Sequence, residues 1–184
     1  MLAEVQTRRY TYKDYERLEE GAPYQLIGGE LIMTPSATPF HQEIIGNLSQ
    51  RLRPFVQSKR LGKFMISPLD IQFSDTDVYQ PDLVFIRQSK LSGVGRNKIL
   101  TIPDLVIEVL SPSNAFYDLT RKKEIYCTHG VQEYWIIDPI EETIEIFVND
   151  GGLYRTEKLL HKPALLESNM FPGFSMKVEE VFEF

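Results

Sequence analysis

The chain has 184 residues, enough for one domain with a proper core and short for two. It is 42% hydrophobic and 25% charged, and no apolar run nears the roughly 20 residues that a membrane span needs. A single cysteine, Cys127, rules out an internal disulfide and a cysteine-based zinc cluster. Residues 1–10 carry no apolar core of a signal peptide, so a cytoplasmic protein is expected. Net charge is −6, whereas proteins that grip nucleic acid over a broad face usually carry a basic surplus. Basic residues gather only at 51–63, 87–98 and 121–123, and solvated faces account for each group.

In chain order, residues 11–19 (TYKDYERLE) predict a short helix with Thr11 as N-cap, ended by Gly21 and Pro23. Strands at 24–27 and 30–33 follow, joined by a Gly28-Gly29 turn suited to a hairpin. From Pro39 to about Ser58 the spacing of Ile44, Ile45, Leu48, Leu52, Phe55 and Val56 predicts an amphipathic helix. Three strands are expected at 63–67, 69–73 and 80–86, then a polar loop with Gly93 and Gly95, then a strand at 104–110. The next helix runs from about Phe116 to His129, with Gly130 as the C′ residue. A strand at 133–137 precedes a hairpin of 143–149 and 153–159 around Asp150-Gly151-Gly152. The tail, 171–184, holds a Phe-Pro-Gly-Phe turn and a short amphipathic end. No linker or repeat divides this order, so a single mixed α/β domain over 1–184 is expected, with helices flanking a central sheet.

Two of these strands carry acids inside apolar runs. Asp82 opens the run in QPDLVFI, and Glu108 sits in the middle of DLVIEVL. Side chains alternate along a strand, so Asp104, Val106, Glu108 and Leu110 share one face. A carboxylate on a covered strand costs several kcal/mol unless something pairs with it, either a metal ion or a salt bridge. Asp82 alone also fits a capping role after Pro81. Together, on neighbouring strands, the two acids favour a metal site, and oxygen-only ligands suit a hard cation such as Mg²⁺ or Mn²⁺.

On the helix after Glu108, Leu119, Lys122, Lys123 and Tyr126 fall along one side, which turns at least one lysine toward the sheet. A cation there can orient water or offset charge on a phosphate oxygen; lysine stems along a core edge give the same pattern. His41 lies near the centre of the apolar stripe of the long helix, where a histidine is either a satisfied core residue or a ligand. His129 and His161 are peripheral.

The stretches YQPDLVFI (79–86) and PDLVIEVLSPSN (103–114), the four-residue steps Asp118–Lys122–Tyr126, and GVQEYWIIDP (130–139) together resemble the large bacterial family of "putative restriction endonucleases". That family was long counted as a domain of unknown function and is placed in the PD-(D/E)xK nuclease superfamily. The resemblance extends to the Gly-Glu of GGELIM, to His41 and to the Pro-Gly-Phe near the end, and so covers nearly the whole chain. It implies a restriction-endonuclease-like fold, a central mixed sheet flanked by helices with added N- and C-terminal strands. It also implies that Asp82 and Glu108 hold Mg²⁺, and that the catalytic lysine has moved from Leu110 to the following helix, where the register selects Lys122. His41 stands where the superfamily often adds a glutamate, and Gln25 stands where an acid is expected. Asp104 and Tyr126 are further accessory candidates.

The expected function is therefore a Mg²⁺-dependent endonuclease acting on DNA, with a two-fold dimer as the natural way to cut both strands. The alternative is a nuclease-fold nucleic-acid-binding or regulatory module with little or no cleavage. A serine or cysteine hydrolase lacks a G-x-S-x-G, and a P-loop lacks its G-K-[ST] ending.

Overall fold

The architecture described here is a computed structural model covering residues 9–34, 36–96, 98–111 and 115–184. The first helix, α1 (Tyr12–Tyr15), is shorter than expected; the Asp14 carboxylate accepts the Thr11 N–H at 3.0 Å and caps it. Strands β1 (Tyr24–Ile27) and β2 (Glu30–Met33) pair around Gly28 and Gly29, whose φ angles of 59° and 83° are the left-handed values such a tight hairpin turn demands. They share a four-stranded sheet, in the order β2-β1-β5-β4, with β4 (Ile71–Ser74) and β5 (Asp77–Tyr79).

The larger sheet has six strands in the order β10-β9-β8-β7-β6-β3. They are β3 (Gly62–Ile66), β6 (Leu83–Arg87), β7 (Leu105–Val109), β8 (Glu133–Asp138), β9 (Thr143–Asp150) and β10 (Leu153–Leu160). Only β7 and β8 are parallel, joined by a helical crossover; the other neighbours are antiparallel. One face packs on the long helix α2 (Pro39–Ser58), through Ile44, Leu48 and Leu52 against Phe85, Ile107 and Trp135. The tail closes that core with β11 (Leu165–Leu166), β12 (Met176–Lys177) and α5 (Val178–Val181). The other face presents Val84, Val106, Tyr134 and Ile136 to Tyr126 of the crossover and to Phe73 and Tyr79 of the smaller sheet. Along β7, alternation sends Leu105, Ile107 and Val109 to the first core and Val106 to the second, the side that Glu108 shares.

Three expectations are corrected. Residues 80–86 do not form one strand: β5 ends at Tyr79 in the smaller sheet and β6 begins at Leu83 in the larger one. Pro81 lies between them; it has no N–H to give to a ladder, and Asp82 is left at the mouth of β6. The crossover is not one regular helix. It runs as α3 (Ala115–Tyr117), a π-helical turn (Asp118–Lys122) and α4 (Lys123–Thr128). Leu119 does not face the sheet; it is 46% exposed, while Asp118, Lys122 and Tyr126 are buried. A π turn takes one more residue per hydrogen-bonded loop than an α turn, so the inward line follows steps of four. The helix ends as expected, with Gly130 at φ 85° and the N–H of Val131 reaching back to the Tyr126 carbonyl at 2.9 Å.

Candidate active site

The antiparallel pairing of β6 and β7 sets Leu83 opposite Ile107, which brings Asp82 beside the end of β7. There Asp82 Oδ2 accepts the Val109 N–H at 2.8 Å. Its other oxygen, Oδ1, lies 3.1 Å from His41 Nε2, with the two side chains 12% and 16% exposed. His41 is in the first turn of α2, where the Thr38 hydroxyl caps the helix by accepting the His41 N–H at 3.2 Å. Asp82 thus ties the long helix to β7 at the point where Glu108 emerges.

The crossover supplies the opposite wall. Lys122 Nζ lies 3.0 Å from Glu108 Oε1 and 2.8 Å from Asp118 Oδ1, and all three side chains are buried. The Tyr126 hydroxyl donates to the same Glu108 oxygen at 2.6 Å. The Tyr134 hydroxyl donates to the Asp118 carbonyl at 3.0 Å and fixes the π turn against β8. Lys123 goes elsewhere: its ammonium sits 3.4 Å from the centroid of the Phe147 ring. Of the two adjacent lysines, the fold therefore brings Lys122 alone to the acids.

Two carboxylates, Glu108 and Asp118, share one ammonium here with the charge of Asp82 nearby, and the electrostatics follow. Burial pushes the Glu108 carboxyl up to about 8; Lys122 and the Tyr126 hydrogen bond pull against this, and Asp118 and Asp82 add to it. Burial likewise raises Asp118, with Lys122 opposing and Asp82 reinforcing. Burial disfavours the charge on Lys122, but Glu108 and Asp118 outweigh it and hold the ammonium charged beyond its ordinary range. An acid that keeps a proton for want of positive charge is one that a divalent cation can serve instead.

The donors suit such a cation. Glu108 uses only Oε1 for its described hydrogen bonds, and the buried His41 Nε2 has no partner in hydrogen-bonding geometry although Asp82 is near. Among the described residues no three His, Cys, Asp or Glu side chains converge as a ready metal cage. The arrangement fits a cation held by one or two carboxylates, with water and substrate oxygens completing the shell, as Mg²⁺ commonly is. A cavity of about 760 Å³ lies between α1 and residues 94–96 and 98–100, lined by Tyr12, Tyr15 and Leu69; none of the clustered acids borders it.

Asp104, on the same face of β7 as Glu108, is not part of the cluster. It sits at the other end of the strand, where it accepts the Arg87 N–H at 2.9 Å and pairs with Lys90 at 2.9 Å. Gln25 is buried; its carbonyl accepts the Gln80 N–H at 2.9 Å and its amide donates to Thr34 Oγ1 at 3.2 Å. A carboxylate there could not donate the second bond. Asp118 belongs to the cluster and went unassigned on the sequence. Its signal was the run of four-residue steps to Lys122 and Tyr126, masked by reading Leu119 as the inward mark.

Known proteins share this architecture. Residues 12–179 match a family described as putative restriction endonuclease, Uma2. An uncharacterized protein of Synechocystis sp. is 29% identical over 155 residues, spanning 82% of this chain and 87% of its own. The crystal structure of a putative nuclease from Anabaena variabilis, belonging to a domain family of unknown function, superposes with a TM-score of 0.79 at 23% identity. That match covers 94% of this chain and 97% of the other, and shows the fold. Among the described residues no helix is long and apolar enough to cross a membrane.

Proposed function

The chain belongs to the Uma2 family of putative restriction endonucleases, and from that premise we propose that it is a divalent-metal-dependent endonuclease hydrolysing phosphodiester bonds of DNA. The observation that carries the reading is that Asp82 is hydrogen-bonded to the Val109 N–H, next to Glu108 on the adjacent strand, with the buried Lys122 ammonium 3.0 Å from Glu108. Asp82 and Glu108 would hold the cation, for which Mg²⁺ or Mn²⁺ is suited. A cation bound there supplies Lewis acidity toward a phosphate oxygen and acidifies water.

The chain's own groups do the rest. Lys122, held charged by two acids, is placed to offset the negative charge that develops on the phosphate, and is unsuited to take up a proton. Tyr126 steadies the Glu108 carboxylate through its 2.6 Å hydrogen bond, and His41, in the N-terminal turn of α2, places its Nε2 3.1 Å from Asp82. Cutting both strands of a duplex calls for two such sites, which a two-fold dimer would provide.

The net charge of −6 speaks against a broad grip on phosphates and so keeps a second reading, a nuclease-fold binding or regulatory module with little or no cleavage. Incubation with supercoiled and linear DNA in Mg²⁺, Mn²⁺ or EDTA separates the two. Nicking that needs the cation and is lost in Asp82→Ala supports the nuclease. DNA binding without cleavage under every cation overturns it and leaves the module.

A further inference from the structure

The Lys122 ammonium stands between two acids, Glu108 and Asp118, and the three side chains are only 2–4% exposed. Water cannot replace either partner, so wherever the ammonium sits, one carboxylate must answer it. Glu108 is also the acid that the proposed function gives to the cation. Ammonium and cation therefore draw on the same carboxylate.

We propose that Lys122 and a divalent cation compete for Glu108, and that Asp118 is the positioning residue that resolves the competition by holding the ammonium when the cation binds. The inference rests on the nuclease reading in one respect, that Glu108 is a metal ligand. Asp118 is built for the task. It lies one four-residue step before Lys122 on the π turn, so the ammonium can settle on it without backbone movement. Its Oδ1 is buried, lies 2.8 Å from the ammonium and has no partner in hydrogen-bonding geometry among the described residues, which leaves it free to take the ammonium in full. Its backbone is anchored through the Tyr134 hydroxyl. Glu108, for its part, keeps the Tyr126 hydroxyl as a donor when the ammonium withdraws, so its carboxylate stays in place. Without Asp118 the lysine has Glu108 as its one buried carboxylate partner, and stays on it.

Calorimetric titration of Mg²⁺ and Mn²⁺ into the DNA-free protein tests this without reference to cleavage. Asp118→Asn is expected to weaken cation binding by about tenfold, the scale for removing a group that orients a ligand. Lys122→Met, which keeps the length of the stem without its charge, is expected to bind at least as tightly as the native chain. Adding Asp118→Asn to Lys122→Met should change affinity by less than about threefold, because the group through which Asp118 acts is gone. Lys122→Gln serves as the same background if the methionine variant melts out of the working range. An equal loss in both backgrounds would mean that Asp118 touches the cation itself, and would overturn the proposal. So would an Asp118→Asn variant with native affinity. If the native chain binds neither cation, the metal reading of the site falls first and takes this inference with it. If it binds and the lysine substitution fails to suppress the defect, this inference alone falls.

Discussion

Glu108 and Glu133 lie on the neighbouring parallel strands β7 and β8, and both are buried. Their surroundings differ. Glu133 accepts from Ser168 Oγ and the Met170 N–H at one oxygen, and from Trp135 Nε1 and Ser168 Oγ at the other, at 2.7–3.2 Å. Its donors are neutral, and they fasten the C-terminal segment to the sheet. Glu108 faces one ammonium and two other acids, and among the described contacts it uses a single oxygen. Burial of an acid does not by itself mark a site. A buried acid left undersaturated among like charges does, because that arrangement costs stability and persists only where something else repays it.

The largest expected effect tests the Glu108 side of this contrast. Asp82→Ala and Glu108→Ala should each remove measurable cation-dependent cleavage and abolish the calorimetric cation signal, with circular dichroism unchanged. Native cation titration in both variants would break the comparison outright. Lys122→Ala should lower the single-turnover rate by about a hundredfold, the scale for one preorganised donor, with DNA binding little altered.

Glu133→Ala probes the other side. It leaves the Ser168 and Trp135 donors without their acceptor, while the Met170 N–H keeps Ser168 Oγ. The loss should cost about 1–3 kcal/mol in urea unfolding, while cleavage per folded molecule stays within about twofold. A variant that is stable yet inactive would show that the distinction is drawn in the wrong place.

The pH dependence of stability sharpens the same point. Glu108 moves from an ordinary 4.5 to about 8, so the metal-free fold binds a proton that the unfolded chain releases. Stability should then fall as pH rises through that window, with the raised Asp118 acting in the same direction. The raised Lys122 contributes stability that is fully present throughout, since it is lost only above its ordinary 10.5. If Glu108 is a metal ligand as proposed, a cation takes the proton's place, so Mg²⁺ should raise the melting temperature more at about pH 8.5 than at about pH 6. An equal rise at both would count against Glu108 as a ligand. The smallest effect belongs to Lys123→Ala. Losing its contact with the Phe147 ring should cost about 0.5–1 kcal/mol and leave the cleavage rate nearly unchanged. A strong loss of rate would mean that the wrong lysine has been assigned.

Local patterning settled much of this molecule before any contact was known. The apolar stripe of α2 ran from Pro39 to Ser58, the Gly28-Gly29 pair marked a hairpin, and Glu108 stood out as an acid inside β7. Each is a property of one segment, legible because residues a few positions apart share a face. The tertiary structure decided which buried acid meets which cation. Asp82 reaches β7 across 27 residues and Lys122 reaches Glu108 across 14, while Asp104, on the same face of the same strand, is taken by Arg87 and Lys90. Strand register and one π turn made those choices. The turn carried Leu119 out to solvent and Asp118 in to the ammonium, because one extra residue in a helical loop rotates every side chain around it.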